Sequence, residues 1–366
     1  MLLRIILATA GMLLVLSTVL SAIRTVILPR AAQSVLNRIV FRSLRRVFEV
    51  IARLRASFAW RDKVMAHFSP FALLFLVAAW LVLTTVGFMA LFWAVEQEGW
   101  ADAFHESGSS LLTLGFAPIE GSALQAVSFV EAALGLALLA LLITYLPTLY
   151  GSFSRRETRV AMLETRAGTP ASAVEMLLRH HRVGPTDRLV DTWADWELWF
   201  AEIEESHTSY PALVFLRSPQ PDRHWVTAAG TVLDGAALTL AAVDRAHQPE
   251  AAIVIRAGYI SLRRIADFFG VEYDPDPAPG DPIAIARSEF DDAVERLAAE
   301  GVPIVSDRDQ AWRDFAGWRV NYDTVLLALA EITMAPYAPW VSDRSVPDHR
   351  QRRLSRWGRR WRQGAS

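Results

Sequence analysis

Between Trp100 and Pro118 the chain reads WADAFHESGSSLLTLGFAP, and four of these residues, Thr113, Leu114, Gly115 and Phe116, have the types and spacing to hold an ion. Glycine reaches backbone angles closed to other residues, so carbonyls around it can be aimed at a cation and not at a helix partner. From Glu96 to Glu120 there are five acids, Glu96, Glu98, Asp102, Glu106 and Glu120, and no Lys or Arg. Acids placed before such a segment raise the local cation concentration. Asp102, Glu106 and Glu120 are therefore expected to line an outer vestibule, although a short solvated loop would carry the same charges. Glu131 is an acid inside a long apolar run, where such residues are rare and usually partnered. It is expected to bond Ser109 or Ser110, the three supporting the carbonyls from behind. A cavity-facing Glu131 that binds the cation itself is the other reading.

Two apolar runs must position these residues. Phe71 to Val95 has 25 residues, which as a helix reach roughly 37 Å against about 30 Å of hydrocarbon. Ser69 and Pro70 mark its start as a cap and a first-turn proline do. Ala123 to Tyr150 is the second run, closed by Arg155 and Arg156. A segment that enters a membrane and returns to the same side leaves its turning backbone outside any helix. That is tolerated only where the backbone is buried in protein or lines a water-filled path. The stretch between the runs therefore reads as a short pore helix followed by a filter.

This arrangement resembles the pore-loop cation channels, over Pro70 to Arg156 only. Thr113, Leu114, Gly115 and Phe116 map onto the Thr-Val-Gly-Tyr-Gly of potassium channels, with Ala117 in place of the last glycine. An alanine resists the left-handed backbone by roughly 1 kcal/mol or more, which puts the outermost carbonyl site in doubt. Thr-x-Gly-Phe is closer to the potassium transporters of the Trk, Ktr and HKT type. Those carry four such units in one chain and this sequence carries one. The resemblance therefore implies a homotetramer around one pore that passes a monovalent cation, K+ or Na+, through backbone carbonyls.

Other elements of the chain fit a membrane protein. Leu2 to Leu28 is nearly all apolar and long enough to span; a cleaved signal peptide is the competing reading, with small residues around Leu20, Ser21 and Ala22. Arginines follow this segment and scarcely precede it, so the positive-inside tendency places the next loop in the cytoplasm. From Ser34 to Phe58 the apolar residues Leu36, Ile39, Val40, Leu44, Val47, Phe48, Ile51 and Leu54 recur at helical spacing opposite arginines, the pattern of an interfacial helix on anionic lipid. Met1 to Phe68 holds eleven Arg or Lys against two acids. The end is basic as well. His349 to Gln363 reads HRQRRLSRWGRRWRQ, suited to anionic lipid of the inner leaflet, with no nucleic acid expected on a membrane-tethered tail. Within the third span, Gly135 is a hinge or a packing site and Pro147 a place for a bend.

The stretch after Arg155 has helical periodicity almost throughout, over Thr158–Ala167, Ala171–His181, Asp187–Glu205, Trp225–Val243, Ala251–Phe269, Arg287–Glu300 and Asp309–Met334. Five parts are expected: an anchor (1–28), a basic interfacial helix (29–69), a pore domain (70–156), an all-helical cytoplasmic domain (157–342) and a basic tail (343–366). The fold class is all-α, in a multi-pass protein of the cell membrane. Cysteine is absent, which excludes disulfides, thiol catalysis and Cys-based zinc sites. There is no GxGxxG, GxxxxGK[ST] or HExxH, so neither an enzyme, a cofactor nor a metal centre is indicated. Asp195, Glu197, Glu202, Glu204, Glu205 and His207 could gather around a metal but read better as a solvated helix face. Trp193, Trp196 and Phe200 share a helix face suited to core packing, and Trp312 and Trp318 lie on another helix. His180 and His181 end a helix, where a cation suits the dipole. The alternative to a channel is a non-conducting membrane scaffold or sensor whose helical domain binds partners.

Overall fold

The computed structural model describes residues 1–28, 35–55, 58–96, 99–183, 188–244 and 248–344. Most of the basic tail, and with it the expected lipid-binding arginines from Arg350 onward, lies outside them, as does Glu98. All described regular elements are helical, with a single isolated bridge between Val243 and Ile304. Three helical stretches are long and apolar enough to cross a membrane: Leu2–Val26, Trp60–Val95 and Ser122–Ala167. Two compact units form, and they do not follow the chain linearly. The first takes Met1–Ala56, Val64–Ser152 and Ser209–Leu216; the second takes Ser57–Lys63, Phe153–Thr208 and Arg217–Ser366. The boundary after Arg156 expected from the sequence thus falls nearby, at Ser152, and the short segment Ser209–Leu216 belongs to the first unit.

In the first unit, α1 (Leu2–Val26) packs along α4 (Phe68–Glu96). Their closest approach is set by two glycines. A Cβ at Gly11 would sit 2.5 Å from the Gly87 carbonyl oxygen, and one at Gly87 would sit 2.6 Å from Val15 Cγ2. Small residues at such a crossing let backbones meet, which is how helices associate where lipid is as apolar as the side chains. Trp80 Nε1 donates to Ser21 Oγ at 3.2 Å, satisfying a buried indole in the same seam. The amphipathic α2 (Val35–Arg53) lays Leu36, Val40 and Phe41 against a core of Ala22, Leu76, Val77, Trp80 and Leu138. Its Phe48 meets Phe68 edge-on at 5.7 Å. Val35, Ile39, Val47 and Val50 remain exposed. The helix thus has a packed face, an exposed apolar sector and an arginine sector.

The start of α4 lies one turn earlier than the apolar pattern suggests, because Phe68 and Ser69 are held by the 3-10 turn Pro211–Phe215: Ser69 Oγ donates to the Ala212 carbonyl at 3.0 Å and Phe68 meets Phe215 at 5.2 Å. Between Phe58 and Ala66 lies α3, which the periodicity did not single out. The third apolar stretch, α6, runs unbroken from Ser122 through Pro147 to Ala167, so the expected span and the first expected cytoplasmic helix are one element.

The second unit is built around α9 (Trp225–Ala241), which is buried on nearly every side. Around it pack α7 (Ala173–Val183), α10 (Pro249–Phe268), α12 (Arg308–Arg319) and α13 (Asp323–Thr333), with α8 (Arg188–Ser209) and α11 (Arg287–Ala299) completing the set. Trp193, Trp196 and Phe200 are buried as expected and Trp199 joins them, whereas Trp312 and Trp318 are only half-buried. Gly258 admits Leu233 and Phe200 to its helix face, where a Cβ would be 2.4 Å from Leu233 Cδ2.

The expected long helix Asp309–Met334 is two helices, broken at Val320–Tyr322. The break turns Arg319 and Asp323 toward Asp234 of α9. Arg319 pairs with Asp234, lies 3.0 Å from Asp323, and donates to the Trp340 carbonyl at 2.6 Å; Tyr322 Oη donates to Asp234 at 2.9 Å. Burial works against the Arg319 charge, but the two carboxylates hold the guanidinium protonated. Burial, reinforced by Asp234, keeps the Tyr322 phenol neutral.

Candidate functional site

The short helix α5 (Trp100–Leu111) stands where the pore helix was expected, between α4 and α6. Gly99 precedes it, and Asp102 in its first turn accepts the Gly99 amide at 3.1 Å, placing a negative charge where the helix dipole favours one. Its buried face carries Ala103, Ser107 and Ser110, spaced four and three residues apart. On α6, Ser128, Glu131 and Gly135 share a face at spacings of three and four. These two faces touch. Ser110 Oγ and Ser128 Oγ are 2.7 Å apart, and Ser107 Oγ is 2.5 Å from Glu131 Oε1. At Gly135 a Cβ would lie 2.1 Å from the Leu111 carbonyl oxygen. Gly135 is therefore the point where α6 admits the end of α5, a packing site.

Glu131 is fully buried, at 0% exposure, in agreement with a partnered acid, but its partner is Ser107 and neither Ser109 nor Ser110. The correction has a simple cause. Ser109 and Ser110 were nearest in sequence to the loop, whereas the i, i+4, i+7 face of α5 that meets α6 contains Ser107 and Ser110. Reading that spacing would have found it. Ser107 Oγ also lies 3.2 Å from the Thr85 carbonyl of α4.

The C-terminus of α5 ends in a Schellman arrangement: Leu114 N–H donates to the Ser109 carbonyl at 2.8 Å and Thr113 N–H to the Ser110 carbonyl at 3.0 Å. Such an ending needs a left-handed residue, normally glycine, just past the helix. Thr113 occupies it, with φ 55°, and Gly115 follows with φ 69°. Gly115 N–H points back to the Ser109 carbonyl at 3.4 Å. Ser109 Oγ accepts the Ala117 amide at 3.1 Å, so one buried serine ties both ends of the turn. Among the described residues, no hydrogen bond is made to the carbonyl oxygens of Leu112, Thr113, Leu114, Gly115 or Phe116. Leu114 and Phe116 are each 60% exposed in the single chain.

No protein-family profile, curated protein or solved structure matches the chain. Its own geometry is what bears on function.

The acids separate. Asp102 and Glu120 are exposed, whereas Glu106 is 7% exposed. Glu106 directly precedes Ser107 on the packed side of α5, so of the three acids expected at a vestibule Asp102 and Glu120 are exposed and Glu106 is not. The acidic face of α8 does not converge: Asp195 pairs with Arg159 at 2.9 Å, Glu204 pairs with Arg264, and Glu197 and Glu205 are exposed. Among the described residues no group of acids and histidines is placed to hold a metal ion. His207 is instead buried, its Nε2 accepting from Arg156 at 3.1 Å and its Nδ1 3.1 Å from Ser206 Oγ. Burial, and then the neighbouring Arg156 charge, hold its imidazole well below the ordinary histidine range. His224 is held low in the same way, by burial first and then by the positive charges of Arg217 and Arg156.

Proposed function

We propose that this chain is one subunit of a homotetrameric pore-loop channel for monovalent cations, conducting K+ through its Thr113–Phe116 motif. The reading places α4 and α6 across the membrane, α5 and residues 112–118 as a re-entrant loop, and the second unit in the cytoplasm. One observation carries it. In Leu112–Phe116 the amides of Thr113, Leu114 and Gly115 turn back onto α5, while five successive carbonyls remain without a protein partner among the described residues. A segment with most of its donors turned onto the helix and its acceptors free suits a cation better than an anion. Ser109 and Ser110 fix that segment to the bundle, Glu131 acts behind it through Ser107, and Asp102 and Glu120 supply negative charge at the mouth. The basic α2 rests on anionic lipid, its exposed apolar sector entering the membrane interface.

Cation flux into liposomes containing the purified protein tests this, with K+ and Na+ gradients compared and Gly115→Val as the control. A Cβ at Gly115 has open space, but the left-handed φ makes any branched residue there strained. Flux selective for K+ and abolished in an assembled Gly115→Val protein is expected. No flux from folded, oligomeric protein would leave the scaffold reading.

A further inference from the structure

Ser107 Oγ faces two oxygens at once, Glu131 Oε1 at 2.5 Å and the Thr85 carbonyl at 3.2 Å. A serine hydroxyl has one hydrogen to donate. If Glu131 were ionised, both neighbours would be acceptors and one contact would set lone pair against lone pair. A proton on Oε1 removes the conflict: the carboxyl O–H donates to Ser107 Oγ, and the serine donates onward to the Thr85 carbonyl. Glu131 Oε2 is buried without a hydrogen-bond partner among the described residues. Burying an unpartnered oxygen costs far more on a carboxylate than on a neutral acid.

The surroundings offer no counter-charge. From Ser69 to Val95, α4 has no charged or histidine residue, and from Ser122 to Phe153 Glu131 is alone on α6. On α1 the arginines are Arg4 and Arg24, toward its ends. On α5, Asp102 and His105 are exposed, and the remaining ionisable group is the buried acid Glu106.

We infer that Glu131 and Ser107 form a proton-binding site joining α4, α5 and α6. On release, the carboxyl O–H bond breaks, the proton passes to water and its electron pair stays on Oε1. The Ser107 hydrogen then turns from the Thr85 carbonyl to Oε1. Thus α5 gives up its anchor on α4 and keeps the one on α6, with the direction of that hydrogen bond reversed. Because α5 leads directly into residues 112–118, proton occupancy acts on that segment; this consequence rests on the pore reading, whereas the site itself does not.

The test is infrared difference spectroscopy on the full-length protein in liposomes as pH is varied, with K+ flux recorded on the same preparations. Wild-type protein is expected to show a carboxylic-acid C=O band that titrates, and Glu131→Gln to lack it. Ser107→Ala, which keeps the acid but removes its relay, is expected to change proton affinity about tenfold, a midpoint shift of about one pH unit. Identical carboxylic-acid bands in wild type and Glu131→Gln, or an unmoved midpoint in Ser107→Ala, would overturn the site. Flux that varies with pH in wild type and not in Glu131→Gln supports its control of the pore. A pH-independent wild-type flux would overturn that link. A titrating band with no flux in any preparation would overturn the pore reading and leave the proton site standing.

Discussion

Single residues here hold positions that their types resist, and two of them make the second unit sensitive to acid. His207 can only accept from Arg156, since a guanidinium has no lone pair to offer. Its imidazole is therefore neutral in the fold, as is that of His224, whose Nδ1 accepts the Val226 amide. Both are held well below the ordinary histidine range, first by burial. In the unfolded chain both take up a proton near pH 6.5. The unfolded state then binds protons that the folded state refuses, so stability is full above about pH 6.5 and falls as pH drops below it. The loss is about 1.4 kcal/mol per pH unit for each histidine. Thermal melts of the detergent-solubilised protein at stepped pH should show this slope, and His207→Gln, which can still accept from Arg156, should make it shallower. An unchanged slope in the variant would reject His207 as a source. Arg319 is the other such position, fully buried between Asp234 and Asp323. Arg319→Met would leave both carboxylates buried without a counter-charge, and is expected to destabilise by about 3–5 kcal/mol. Denaturant titration followed by tryptophan fluorescence would measure it.

Helices meet where small residues permit, and this decides how α5 is seated. Gly135 is the sharpest case, because its missing Cβ is the space that the Leu111 carbonyl occupies. Gly135→Val should displace the end of α5 from α6, breaking the Ser110 to Ser128 and Ser107 to Glu131 contacts together. Faster amide hydrogen exchange across residues 107–117 than in wild type would register that displacement; unchanged exchange would contradict it. Apolar periodicity located most helices to within a few residues, since each face it marks is the face that becomes buried. It misplaced ends where a tertiary partner decides them. The start of α4 depends on Ala212 and Phe215, distant in sequence. The break between α12 and α13 depends on Asp234, which draws Arg319 inward across a stretch whose local pattern continues.

For the whole molecule, the basic stretches at Met1 to Phe68 and His349 to Gln363 make lipid charge matter. The arginine sector of α2 beside an exposed apolar sector is suited to an anionic surface. Flux through the reconstituted full-length protein should be stronger in liposomes containing anionic lipid than in zwitterionic ones, and this difference should shrink when Arg38, Arg42 and Arg46 are changed to Gln. Equal behaviour in both lipids would set aside this role for α2. Composition and periodicity by themselves determined that the chain is helical, that three stretches are apolar enough to cross a membrane, and that a short helix and a glycine turn lie between two of them. Those properties are local, written in the spacing of apolar residues and in the conformational freedom of glycine. Only the tertiary structure decided that Glu131 meets Ser107, that Glu106 is buried, that Thr113 closes α5, and that His207 faces Arg156. Thr113 closes α5 through local backbone bonds that a threonine does not advertise. The other three depend on which face of one helix is turned to another, fixed by packing between residues far apart in the chain.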